Sequence, residues 1–462
     1  MSDTNATFEK DPSLEKPITI KFLVLFALPT MIGMLGMGIF GIVDGIFAAR
    51  YIDAYALSAV GLVMPFVMFS LSVGFMLGMG GNALVAKEVG EGRFKHARRD
   101  MTLISLASFI ASVLLTALGW VFPDVVLNIL GVDADVYHLA HEYFMVLLPF
   151  MPLAAIGIVL QQFMMTEGKA GISMLATIGS GLFGVYLNYL LIYQLHMGLR
   201  GAAIATGLAY AIPALTGTLF FIFNRRGNLY FVLPKFKWFV IKQSAINGVS
   251  EMFTMMSASI SGILMNNVLM DLDGPMAVAA VGIASGAFGL VANTFIGFSS
   301  GIAPIISYNY GKGDTQALRK LFSQSVAINV VVALLSTVAM FAFTDFFIGL
   351  YDIDPVIYIG GFLMTLPAYT MAVDAIRILA LGGVFMALNT FASIWFTSLN
   401  DGVRSGIIAF LKGFGFDIAF IFILSSWWGV TGVFLSTAVS QVASLIVAGF
   451  LLFRYRKVYN YA

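Results

Sequence analysis

Residues 55–86 read YALSAVGLVMPFVMFSLSVGFMLGMGGNALVA, a run without a single charged side chain. It is too long for a buried strand and shows no alternation of period two. As a helix it exceeds the ~30 Å of hydrocarbon in a bilayer. Lipid offers backbone N–H and C=O groups no partner, so such a run is stable there only as a helix. The composition holds along the chain: of 462 residues, 60% are hydrophobic and 11% charged. A water-soluble domain of that size would be left with large exposed apolar patches.

Apolar segments of spanning length fall at roughly 18–49, 55–86, 101–122, 136–165, 170–195, 199–224, 237–270, 275–308, 321–343, 360–398, 405–427 and 429–453. Basic residues crowd the polar stretches after even-numbered segments, as in Lys87, Arg93, Lys95, Arg98 and Arg99, and in Arg225, Arg226, Lys235, Lys237 and Lys242. The opposite side carries acids such as Asp124, Asp133, Asp271 and Asp273. This asymmetry predicts that both termini are cytoplasmic. The first sixteen residues have no apolar core or cleavage site of a secretory signal, so the first spanning segment is expected to direct insertion.

The chain repeats itself. Laying 27–99 over 248–320 without a gap puts Ala59-Val60-Gly61 on Ala280-Val281-Gly282, Gly80 on Gly301, and Gly90-Glu91-Gly92 on Gly311-Lys312-Gly313. Further on, Gly198, Gly201 and Thr206 match Gly429, Gly432 and Thr437. The expectation is an all-α integral membrane protein of twelve transmembrane helices in two six-helix bundles. An even number of spans per half orients both halves alike, so their pseudo-two-fold axis should run along the membrane normal. The predicted parts are a cytoplasmic tail 1–17, a first bundle 18–224, a cytoplasmic linker and start of helix seven 225–242, a second bundle 243–453, and a tail 454–462.

Several function classes fall away. Lys+Arg 25 against Asp+Glu 24 points to no nucleic-acid partner. Cysteine is absent, so there is no disulfide, thiolate nucleophile or cysteine metal site. There is no GxxxxGK[ST] for ATP, no HExxH, and no catalytic cluster at membrane depth, which argues against an enzyme. The histidines, His96, His138, His141 and His196, lie in short polar stretches between apolar runs.

Residues 25–66, LFALPTMIGMLGMGIFGIVDGIFAARYIDAYALSAVGLVMPF, carry a proline near the start of the first segment, an aspartate at its outer third, and an Ala-Leu-x-Ala-Val-Gly lead into the second. With NGVSE at 247–251 and GIAPIISYNYGKGD at 301–314, they resemble the MATE (multidrug and toxic compound extrusion) transporters over nearly the whole chain, in particular the subgroup with Gram-positive multidrug exporters. The resemblance implies an antiporter in a bacterial inner membrane that exports small amphipathic, cationic compounds in exchange for H+ or Na+. It implies no other cofactor and no partner besides substrates and lipid, the chain working as a monomer. A sibling reading within the wider superfamily is a flippase for a lipid-linked precursor. Such flippases present a strongly basic cavity, whereas basic residues at membrane depth here reduce to about one, Lys412.

Asp44 is the first candidate ion site: a carboxylate in GMGIFGIVDGIFAA, with no base beside it, is costly unless hydrated, paired, protonated or bound to a cation. In the family that aspartate is joined by an Asn and an Asp on helix five and a Thr on helix six. Registering on Gly198, Gly201 and Thr206 puts those positions at Gly184, Asn188 and Thr206. This chain therefore keeps Asp44 and Thr206 but lacks two of the polar groups, Asn188 being neutral and Gly184 bare, which tilts the expectation away from a Na+ cage and toward a protonated Asp44 or a second ion site elsewhere. Glu251 falls where the repeat places Thr30 and is a second proton or cation site, or else a residue at a hydrated helix mouth. Lys412 and Asp417, five residues apart, should not face one another on a regular helix unless flexible side chains or the intervening Gly413 and Gly415 let them approach, and pairing across helices is their expected role. Gln161, Asn266, Asn389 and Met256 are candidates for the substrate cavity, each with helix-to-helix bonding or packing as the alternative.

Overall fold

The computed structural model describes residues 17–51, 54–225, 227–349, 356–359, 362–365 and 367–462. Among them twelve long helices account for the apolar segments. In the first half these are α1 Ile20–Tyr51, α2 Ala54–Gly90 and α3 Phe94–Val121, followed by α4, which runs Ala134–Leu147 and Met151–Thr166 through a 3-10 turn at Leu148–Phe150. Next come α5 Ala170–Asn188, prolonged by a π-helical turn Tyr189–Gln194, and α6 Gly198–Phe223. The second half holds α7 Trp238–Asp273, α8 Pro275–Lys312, α9 Thr315–Ala342 and α10 Pro367–Ser398. Helix α11 starts as Gly402–Phe410, passes a π-helical turn at Leu411–Gly415 and continues into the stretch Phe416–Tyr459. Within that stretch Gly429 takes φ 56° and ψ −133°, which no helix admits. The part before Gly429 completes α11 and the part after it is α12.

One boundary differs from the apolar pattern. The tenth segment was expected from residue 360, but α10 begins at Pro367, where the fixed φ of proline suits a helix start. A short antiparallel ladder, β1 Val356–Ile359 with β2 Phe362–Thr365, precedes it.

The repeat is visible in the backbone. Gly92 and Gly313 take φ of 76° and 74°, and Gly198 and Gly429 take 57° and 56°, so the repeat register pairs residues that turn the chain alike. The bundles meet on the side of the linker, through glycine. A Cβ on Gly90 would collide with the Tyr308 carbonyl oxygen, and one on Gly311 with the Lys87 carbonyl oxygen. These are one contact made twice under the pseudo-two-fold relation, where α2 crosses α8. Nearby, a Cβ on Gly80 would strike the Ser244 carbonyl of α7, and one on Gly301 would press on Ala27 of α1. Backbones approach this closely only where side chains are absent.

Each bundle also clasps the segment that follows its last helix. In the first, the Glu167 carboxylate accepts from the backbone N–H of Asn228 (2.7 Å) and Leu229 (2.9 Å), and Arg98 donates to the Asn228 carbonyl at 2.8 Å. In the second, Asp401 accepts from the Tyr459 hydroxyl at 2.5 Å and from Arg404 at 2.9 Å, and the Tyr461 ring packs on Phe322 and Trp395. The acids stand in corresponding loops, turned at Gly168 (φ 72°) and Asn400 (φ 59°).

Candidate ion and substrate sites

In the first bundle α1 lies along α5. A Cβ on Gly33 would touch Thr177, and Gly181 leaves room for the Phe40 ring, which a Cβ would overlap. Residue 44 comes one turn beyond Phe40 on the same helix, and the side chain of Asp44 lies outside the described residues. Helices α5 and α6 are antiparallel, Gly184 facing Ala209 and Gly201 facing Leu191. Between those contacts Asn188, which is buried, and Thr206, half-buried, come within a turn of one another's level. The structure thus gathers α1, α5 and α6 at one level, with only Asn188 and Thr206 described there.

Nearer the linker side, the first bundle holds a cavity of about 40 Å³ lined by Thr30, Met34, Gln161, Gln162, Met165 and Thr177, among others. Gln161 donates to the Thr177 hydroxyl at 2.9 Å, whereas the Gln162 carbonyl oxygen is buried without a partner. That volume has room for water, not for an organic substrate.

The second bundle places charge where the first has none. Lys412 of α11 is only 6% exposed, and Glu251 of α7 and Asp417 beyond it on α11 are part-buried. Between Lys412 and Asp417 runs the π-helical turn Leu411–Gly415, so the roughly 140° that five residues turn on a regular α-helix does not apply to them. The Asp417 carboxylate also accepts from the Ser440 hydroxyl of α12 at 3.1 Å. Under the repeat, Lys412 falls on Gly181 and Ser261 on Phe40. An aromatic ring from α1 fills the first bundle at this crossing, and an amine from α11 enters the second.

The cavity candidates separate. Gln161 lines the small cavity just described; Asn266 is exposed on α7, and Met256 is half-buried. Asn389 does not line a cavity. It is fully enclosed between α10 and α12, its amide donating to the Gln441 backbone carbonyl at 2.8 Å and to the Gln441 side chain at 3.0 Å.

Sequence reading missed a polar cluster at the linker side. A cavity of about 460 Å³ there is lined by Lys87, Glu88, Arg93, His96, Asp100 and Lys237. Lys237, at the start of α7, pairs with Asp100 of α3 at 3.0 Å, which ties the two bundles together. Glu88 lies 3.8 Å from Arg93 and has one carboxylate oxygen buried without a partner. The sequence signal for it is the acids Glu88 and Asp100 set inside a basic stretch.

Two six-helix bundles related by a repeat, meeting at one face of the membrane around buried ionisable groups, define a multi-pass membrane protein of transporter architecture. The MatE family model matches residues 29–190 and 251–423, and the chain belongs to that family of membrane transporters. Similar curated proteins are the multidrug export proteins MepA of Staphylococcus haemolyticus (strain JCSC1435), 24% identical over 96% of this chain and 95% of that one, and of Staphylococcus aureus (strain N315), 22% identical over 97% and 95%. Among solved structures, a MATE crystal structure in complex with MaL6 superposes with a TM-score of 0.88 at 22% identity, covering 97% of this chain and 98% of the other. An outward-facing multidrug resistance MATE transporter gives 0.85 at the same identity and coverage. At that identity these likenesses speak for the fold.

Proposed function

We propose that this chain is a cation-coupled antiporter of a bacterial inner membrane, with both termini cytoplasmic, exporting amphipathic organic cations and working as a monomer. The observation that carries the reading is the pair of glycine contacts, Gly90 on Tyr308 and Gly311 on Lys87, where the linker side closes with backbone against backbone. Contacts without interlocking side chains come apart and re-form at low cost, as alternating access between two rigid bundles requires. Export of drugs is drawn from the MepA proteins the chain is similar to. The coupling ion, H+ or Na+, is assigned to Asp44 with Asn188 and Thr206 near its level, and Glu251 is a second cation-attracting group in the other bundle. Gln161, Asn266 and Met256 are carried as candidates for substrate contact.

The test is efflux of an ethidium-like dye from proteoliposomes under an imposed pH gradient or an imposed Na+ gradient. One gradient is expected to drive efflux, and Asp44→Asn is expected to abolish it. Full activity in Asp44→Asn would sink the site assignment, and efflux under neither gradient would sink the antiporter.

A further inference from the structure

Two cavities follow one another along α7. The first is the linker-side cavity of about 460 Å³, where Glu88 and Asp100 stand among Lys87, Arg93 and Lys237. The second is a groove of about 720 Å³ with an apolar lining, walled by Met76 of α2, by Ile246, Val249 and Phe253 of α7, and by Val403 and Ile407 of α11. Phe239 and Gln243 line the cavity and Ile246, Val249 and Phe253 the groove, at spacings of three and four residues that make one stripe down one face of α7. Gln243 and Ile246 are about 4.5 Å apart along the helix axis, so the groove begins where the cavity ends. Because α7 enters the membrane from its linker-side end at Trp238, the charged cavity lies at headgroup level and the groove beneath it in hydrocarbon. Trp238 and Phe239 are exposed at that level, as aromatic residues at a membrane–water boundary are.

Glycine keeps the groove open. A Cβ on Gly402 would strike the Ile246 carbonyl oxygen and one on Gly406 would press on Val249, so along that edge α11 has no side chain to fill the space. In the cavity, the Arg93 and Lys237 side chains are 50% and 36% exposed and so have donors to spare. Glu88 is only 6% exposed, and among the described residues one of its carboxylate oxygens has no hydrogen-bond partner. A buried carboxylate oxygen left without a donor is costly, so this one calls for an N–H or O–H from outside the chain.

We propose that the two cavities form one site for a phospholipid of the linker-side leaflet whose headgroup carries a primary ammonium, phosphatidylethanolamine. The ammonium donates to Glu88, the phosphate meets Arg93 and Lys237, and one acyl chain lies in the groove along α7. Acids and bases mixed in one cavity suit a zwitterion, and the apolar groove below it suits a lipid rather than a free phosphoester. Phosphatidylcholine brings the same two charges with no N–H to donate, and phosphatidylglycerol brings no cation for Glu88. The proposal depends neither on what is exported nor on the coupling ion.

The test is native mass spectrometry of the full-length protein, stripped of lipid in detergent and titrated with phospholipids of identical acyl chains. Phosphatidylethanolamine is expected to bind about tenfold more tightly than phosphatidylcholine, the worth of one hydrogen bond to a charged group. Glu88→Gln should abolish that preference, with Glu88→Ala in its place if the first variant does not fold. Lysophosphatidylethanolamine, with a single chain, should displace the bound lipid, whereas glycerophosphoethanolamine, the headgroup without a chain, should not even in large excess. Val249→Trp, which fills the groove, should weaken phosphatidylethanolamine binding by about tenfold, and Ile407→Trp on the facing wall serves if that variant misfolds. Equal binding of the ethanolamine and choline lipids, or a preference for phosphatidylglycerol, overturns the proposal, and these wild-type comparisons need no variant. It is equally overturned by a preference that survives in a folded Glu88 variant, by undiminished binding in a folded groove variant, or by displacement with the chainless headgroup, which would mark a site for a soluble phosphoester.

Discussion

The two bundles share a backbone plan and differ in how they handle charge. In the first, α1 and α5 are held together by glycine and an aromatic ring, Phe40 on Gly181, and the acid of α1 sits a turn further on. In the second, the equivalent crossing of α7 and α11 carries the buried Lys412, and Gly413 is pressed against Ser257. An acid in an apolar run is stable only when hydrated, protonated or joined by a cation, whereas a buried lysine needs the opposite compensation. A duplicated fold can thus keep one backbone plan while placing its charged groups differently in its two halves.

That comparison breaks most sharply at Asp44. Its replacement by Asn is expected to abolish gradient-driven dye efflux while Glu251→Gln leaves a measurable rate, and the reverse ranking would move ion exchange to the second bundle. The paired glycines come next. Gly90→Leu and Gly311→Leu force a side chain onto a facing carbonyl, and overpacking costs of roughly 1–3 kcal/mol predict efflux lower by about tenfold in each. Unequal losses, read from initial rates at matched protein in the liposomes, would show that the closure is not symmetric. The clasps should be milder. Glu167→Ala removes a buried acceptor from two backbone N–H groups and Asp401→Ala removes one from Tyr459 and Arg404, so each should lower Tm by roughly 3 °C in a thermal unfolding assay. A much larger drop for Glu167→Ala would mark the linker as the weaker joint. The smallest change is Thr206→Val, expected to weaken the apparent affinity for the coupling ion by about threefold, measured as the ion concentration giving half-maximal efflux.

The membrane class, the helix count and the repeat were legible because they rest on length and period. Residues 55–86 admit one conformation in lipid, and the glycines at 80, 90 and 92 recur at 301, 311 and 313 in one unbroken register. Asp44 and Glu251 stood out for the same reason, since a charge in an apolar run is costly wherever the run folds. Other features depend on what a neighbouring helix presents. Whether Asn389 meets a cavity or Gln441 turns on the packing of α12 against α10. The linker-side cluster of Glu88, Asp100 and Lys237 exists only once α2, α3 and α7 converge.

What the sequence by itself determined is therefore a twice-repeated helical membrane protein with acids in costly places, because desolvation acts on each residue separately. What tertiary structure alone decided is which charges meet. Lys237 meets Asp100 only because α7 and α3 converge, and Gly90 and Gly311 matter through the carbonyls of Tyr308 and Lys87, which lie on the other bundle. Pair interactions fall off within a few ångströms, and it is the fold that sets those distances.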